Sequence, residues 1–166
     1  TLQNIEGITG SDFNDVIFGN SGDNVLEGRG GNDLFHLASG GHDTLMYKLL
    51  TGSDATGGNG QDTVNGFTVG VFETVADADR INLGDLLQGY HPSVNGQYAA
   101  QYINGVATIK AGDAIGNYLK VEVLGDNTLI EVDRSGSGQN YATLLTLNGV
   151  HTDLATLLAN HQISLV

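Results

Sequence analysis

Short stretches of alternating polar and apolar residues recur along the first third of the chain at a fixed interval. Three consecutive blocks, residues 10–18 (GSDFNDVIF), 19–27 (GNSGDNVLE) and 28–36 (GRGGNDLFH), align at a period of nine, with Gly first, Asp or Asn sixth and a large apolar residue eighth. A fourth block, residues 38–46 (ASGGHDTLM), keeps Asp43 and Leu45 but arrives one residue late. After an insertion at 47–56, residues 57–65 (GGNGQDTVN) fit the pattern GGxGxDxUx, with U a large apolar residue, at every specified position. A sustained period of this kind is the mark of a stacked architecture.

The chemistry of the block explains its composition. Its first six residues make a tight turn where glycine tolerates positive φ or close backbone approach, and its last three form a short strand. The eighth residues, Ile17, Leu26, Phe35, Leu45 and Val64, point inward. If each block makes half a coil, blocks 18 residues apart stack, which places Asp15 above Asp33 and Asn24 near Asp43. Stacked carboxylates repel unless a cation lies between them. Ca²⁺ suits such a site because it accepts six to eight oxygen ligands in flexible geometry, from carboxylates and carbonyls alike. Zn²⁺ would want His or Cys at a common centre, and these blocks bring none together.

Beyond residue 66 the period of nine gives way to plain strand alternation. Leu119, Val121 and Val123 alternate with Lys120 and Glu122, and Ile130 and Val132 alternate with Glu131 and Asp133. Residues 125–127 (GDN) supply a turn between them, 106–110 and 141–148 are further strands, and 135–139 read as a flexible turn. Arg80 to Leu83 is strand-like and leads into one helical turn at 85–88. A helix over 152–160 is predicted with Thr152 as its N-cap and Leu154, Leu157 and Leu158 on one face, followed by a strand-like 163–166. The expected fold is mainly β: a short parallel β-roll of nonapeptide repeats, then an antiparallel β-sheet or sandwich cap with one or two short helices. The units are residues 1–66, with the insertion at 47–56, and 67–166, whose sheet would cover the open end of the roll.

Composition narrows the partners. A formal net charge of −13, from 19 acids against 6 bases, argues against nucleic acid and anionic membranes, whose phosphates need clustered Lys and Arg. With 25 glycines but one proline, and 40% hydrophobic residues, the chain is neither collagen-like nor disordered. No cysteine is present, so metal or packing must stabilise the glycine-rich part. No apolar run is long enough for a transmembrane helix, and the start in mid-pattern reads as a fragment of something longer.

At this point the nonads resemble the repeats-in-toxin (RTX) family, whose repeats form a parallel β-roll with calcium between successive turns. The resemblance implies Ca²⁺ roles for Asp15, Asp33, Asp43 and Asp62, with Asn24 as a weaker ligand, Asp12 as a further candidate, and carbonyls from Gly28, Gly30, Gly31, Gly58 and Gly60. Phe13 and Asn20 stand where the family has glycine. The alternative role for these Asp and Asn residues is a set of side-chain-to-backbone turns. The run from residue 62 (DTVNGF), through 76–89 (ADADRINLGDLLQG), to 147–150 (LNGV) and a Leu-rich helix resembles the C-terminal type I secretion target region of large bacterial RTX adhesins. That likeness implies an uncleaved export signal read by an ABC transporter, a membrane-fusion protein and an outer-membrane channel, and an extracellular destination.

The chain is expected not to be an enzyme. HExxH, GxSxG, GxxxxGK[ST] and EF-hand patterns are all missing, and His42 beside Asp43 reads as a loop residue. Tyr98 and Tyr102, four apart, would offer a sugar-stacking surface if exposed, though packing explains them more simply. The alternatives are the C-terminal RTX domain of a secreted hydrolase, such as a metalloprotease or lipase, and a sugar-binding adhesive module.

Overall fold

The computed structural model describes residues 5–52, 54–91 and 99–165. Seven short strands make the roll: β1 (Gly7–Thr9), β2 (Val16–Phe18), β3 (Val25–Glu27), β4 (Leu34–His36), β5 (Thr44–Met46), β6 (Asp62–Asn65) and β7 (Arg80–Asn82). Odd-numbered strands stack in one parallel sheet and even-numbered strands in the other, so each block is half a coil. Since side chains alternate along a strand, the middle residue of each triplet faces the opposite sheet. In register these form two rows, Ile8–Leu26–Leu45–Ile81 and Ile17–Phe35–Val64. All but Ile8 are buried, and Ile8 is partly so.

Turn stacks on turn where the glycines sit. Gly60 has φ +74°, and a Cβ there would lie 1.8 Å from the Gly31 carbonyl oxygen of the preceding coil. No other residue allows so close an approach of two backbones.

β7 belongs to the roll, although the sequence places it at the start of the following unit. Residues 74–82 are a degenerate block with Asp79 sixth and Ile81 eighth, lacking any of the expected glycines.

The remaining elements are a hairpin of β8 (Ala100–Ile103) and β9 (Val106–Ile109), the meander β10 (Leu119–Leu124), β11 (Asn127–Val132) and β12 (Ala142–Asn148), the helix α1 (Leu154–Ala159), and β13 (Ile163–Ser164). The antiparallel meander is not a separate layer. β12 pairs in parallel with β6, giving one six-stranded sheet in the order β10-β11-β12-β6-β4-β2. β13 pairs in parallel with β7, at the end of the five-stranded sheet. Leu147 thereby sits beside Val64 and Ile163 beside Ile81, extending both apolar rows past the last repeat.

Three local expectations need correction. The N-cap of α1 is Asp153 rather than Thr152: its carboxylate accepts the Thr156 N–H at 2.8 Å, while Thr152 is buried and donates its own N–H to Thr128 Oγ. Residues 85–88 form only a turn, in which the Leu86 and Leu87 N–H groups both reach the Leu83 carbonyl. Residues 135–139 are tightly folded rather than loose. They wrap the buried Asp133 carboxylate, which accepts from the Ser135 and Ser137 hydroxyls and from the N–H groups of Ser135, Gln139 and Asn140. Tyr98 and Val166 lie outside the described residues. Tyr102, partly exposed, donates its hydroxyl to Asn160.

Candidate metal centre

The sixth residue of each block closes a turn just before a strand, so stacking the strands stacks these side chains. Two ladders result. On one side of the roll, Asp33 Oδ1 accepts the Asp15 N–H at 2.9 Å and Asp62 Oδ1 accepts the Asp33 N–H at 2.8 Å. On the other, Asp43 Oδ1 accepts the Asn24 N–H at 2.9 Å and Asp79 Oδ1 accepts the Asp43 N–H at 3.1 Å. Each carboxylate thus spends one oxygen on the backbone of the preceding coil. Asp79 escapes a reading that relies on glycines, yet it lies 36 residues after Asp43, which is four nonads.

The second oxygens differ. Asp15 Oδ2 accepts the Ser11 N–H at 2.6 Å and the Ser11 hydroxyl at 2.9 Å, and Asn24 Oδ1 accepts the Asn20 N–H. Asp33 Oδ2 and Asp43 Oδ2 are buried without a hydrogen-bond partner. An orphaned carboxylate oxygen inside a protein is costly unless a proton or a cation meets it.

Burial shows in the acidities. It lifts the Asp43 carboxyl to about 6 and those of Asp62 and Asp79 to about 7, and it also raises Asp33, to which the charge of Asp15 adds. Backbone N–H donors oppose the rise in every case without cancelling it. Without a cation, burial therefore opposes ionisation of the stack.

The glycines that open the blocks sit among these oxygens. A Cβ on Gly28 would meet Asp33 Oδ2 at 1.9 Å, and one on Gly10 would meet the Gly28 carbonyl oxygen at 2.6 Å and Asp15 Oδ2 at 2.7 Å. At Gly19 the neighbours are Asn24 Oδ1 at 2.9 Å, Asp43 Oδ2 at 3.6 Å and the His36 carbonyl oxygen at 3.7 Å. Oxygens predominate at Gly10 and Gly19, the donor set of a hard cation, while at Gly28 the Phe35 ring carbon Cζ also approaches, at 3.1 Å. Among the described residues no three His, Cys, Asp or Glu side chains converge, so carbonyls and an amide must complete any coordination shell. These residues fit calcium. They do not fit zinc.

The other predicted ligands are spread more widely. A Cβ on Gly30 would meet the Gly58 carbonyl oxygen at 3.2 Å, Gly31 abuts the backbone of Phe13 and Asn14, and Gly60 lies on Gly31, all on the side of the first ladder. Gly58 is covered by Leu50 and Thr51 of the insertion. Asp12 stands on the rim, its side chain 69% exposed and paired with Arg29 at 3.1 Å. Phe13, where a glycine was expected, projects into solvent. His36 stacks on Phe18 with centroids 4.6 Å apart, and His42 Nδ1 lies 2.9 Å from the Ala78 carbonyl, so both rings are engaged in packing contacts.

Residues 9–45 match the family model of the RTX calcium-binding nonapeptide repeat (4 copies). No curated protein matches the chain in sequence. Among solved structures, the chain is similar to the AlgE6R3 subunit of the Azotobacter vinelandii mannuronan C5-epimerase, at 22% identity and a TM-score of 0.41, over 100% of this chain and 87% of that one.

Proposed function

We propose, from the RTX calcium-binding nonapeptide repeats of residues 9–45, that the chain is a non-catalytic module that folds around calcium outside the cell, as the C-terminal part of a large secreted adhesin. The observation that carries the calcium part is the pair of buried, partnerless oxygens, Asp33 Oδ2 and Asp43 Oδ2, each beside a glycine cradle. Asp33 with Asp15 and the Gly28 carbonyl would hold one ion, and Asp43 with Asn24 and the His36 carbonyl another. Bound there, calcium supplies the positive charge that lets the carboxylates stay ionised inside the fold.

The charge makes this a switch. At low calcium a net charge of −13 and buried like charges oppose compaction. At high calcium, binding to the folded state alone adds roughly 2.7 kcal/mol per site at a hundredfold excess over Kd. A chain kept loose in the cell and folded outside suits passage through a type I exporter of ABC transporter, membrane-fusion protein and outer-membrane channel. The same proposal places the export signal in residues 67–166, of which β7 completes the roll begun in 1–66. RTX repeats are typical of secreted proteins, and among the described residues no helix is long and apolar enough to cross a membrane.

Circular dichroism in EGTA, then with added calcium, tests the switch. The expected result is a gain of β signal with calcium; a roll already native in EGTA removes it. Export of a reporter fused to this chain, dependent on a type I transporter, tests the route.

A further inference from the structure

The two ladders end differently from the way they begin. At Gly10 and Gly19 the space beside the glycine is bounded chiefly by oxygens, and at Gly28 by Asp33 Oδ2 at 1.9 Å, with the Phe35 ring edge behind it at 3.1 Å. At Gly57, which opens the block leading to Asp62, the same place is taken by the Leu86 Cδ1 at 2.6 Å, the Leu49 Cδ1 at 3.2 Å and the Arg134 Nε at 3.5 Å. Methyl groups cannot ligate a cation, and a guanidinium repels one. Arg134 is held there by its own bond from Nη1 to the Asp54 carbonyl.

The carboxylate of that block is closed as well. Asp62 Oδ1 holds the Asp33 N–H, and Asp62 Oδ2 accepts the hydroxyl of the buried Tyr47 at 2.9 Å. The second ladder finishes in the same manner, for Asp79 Oδ1 holds the Asp43 N–H and Asp79 Oδ2 accepts the Thr68 N–H at 2.8 Å. One coil further on, the strand registers put Leu145 beside Asp62 and Ile163 beside Ile81, so no further carboxylate follows.

From these contacts we infer that ions enter the stack at two places, beside Asp33 Oδ2 and beside Asp43 Oδ2, and that Asp62 and Asp79 are closing residues. Each positions the carboxylate before it and binds no ion. The block that matches the repeat pattern best is then the one whose aspartate has lost the metal, with Tyr47 and Arg134 standing in its place. The inference rests on the calcium reading above and adds where the binding stops.

Bound calcium, measured on the intact chain by equilibrium dialysis and atomic emission, tests it. The expected result is two ions for the unmodified chain, one for Asp33→Asn and for Asp43→Asn, and two for Asp62→Asn and Asp79→Asn. Loss of an ion from Asp62→Asn or Asp79→Asn overturns the inference and leaves the calcium reading standing. An unmodified chain with no bound calcium overturns both. Should Asp62→Asn fail to fold, diffraction from the unmodified chain loaded with a lanthanide decides. Anomalous peaks beside Asp33 and Asp43 support the inference, and a peak within a coordination distance of about 2.3–2.6 Å of Asp62 overturns it.

Discussion

The backbone N–H of Asp15 donates to Oδ1 of Asp33, 18 residues later and one full coil away, at 2.9 Å. A single carboxylate therefore ties two coils together with one oxygen and presents the other to the cradle at Gly28. Removing the second function while sparing the first is the informative change. Asp33→Asn keeps an acceptor for the Asp15 N–H but removes the charge. It is expected to lose most of one site's calcium stabilisation, roughly 2–3 kcal/mol at a hundredfold excess over Kd, with a much smaller effect in EGTA. Paired melts with and without calcium measure the difference.

Acidity gives a second test. Folding raises the carboxyls of Asp43 to about 6 and of Asp62 and Asp79 to about 7, above the roughly 3.9 of an unfolded Asp. The calcium-free folded chain then binds more protons than the unfolded chain between about pH 4 and 7. The stability these groups contribute is complete below about pH 4 and is lost as pH rises through 6 to 7. In EGTA the melting temperature should rise on acidification from pH 7.5 to 5. Saturating calcium should weaken the trend without abolishing it, since ions compete with protons at Asp33 and Asp43 while Asp62 and Asp79 still titrate. A calcium-free melting temperature that falls over that window contradicts the assignment.

The cradle itself can be filled. Gly28→Ala places a methyl group 1.9 Å from the initial position of Asp33 Oδ2, so the carboxylate must turn away. Calcium affinity is expected to drop at least tenfold, read by isothermal titration calorimetry. Gly7→Ala is the control, since its added Cβ meets only the Val25 carbonyl oxygen at 3.9 Å.

The link between repeats and meander is testable through Leu147, fully buried and in register with Val64. Leu147→Ala should cost about 2–5 kcal/mol. Because β12 continues the sheet of β6, the loss should appear as one cooperative transition moved to lower temperature and a calcium midpoint moved higher. Two separated transitions would show that the meander and the roll fold independently.

The roll was legible in the sequence because its two determinants recur at fixed spacing. Ile17, Leu26, Phe35, Leu45 and Val64 mark the inward rows, and Asp15, Asp33, Asn24 and Asp43 mark the ladders. The strand at β7 was legible from 80–83, but its place in the roll and that of Asp79 in the ladder were not, because residues 74–82 keep the aspartate and the isoleucine but discard the glycines. The pairing of β12 with β6 and of β13 with β7 has no periodic signal at all. It rests on shape and burial between segments about 80 residues apart, which only the folded chain brings together. Tyr47, within the insertion, gave no hint of its bond to Asp62, since its partner is set by the path of the loop.

The parallel pairing of β13 with β7 also sets an order of events. The last strand of that sheet comes from Ile163 and Ser164, roughly eighty residues after the strand it joins. However early the first coils wind, that sheet is finished only when those residues arrive. Until then the β7 edge stays open to any other strand, so the greatest exposure to misassembly falls between the winding of the coils and the docking of β13.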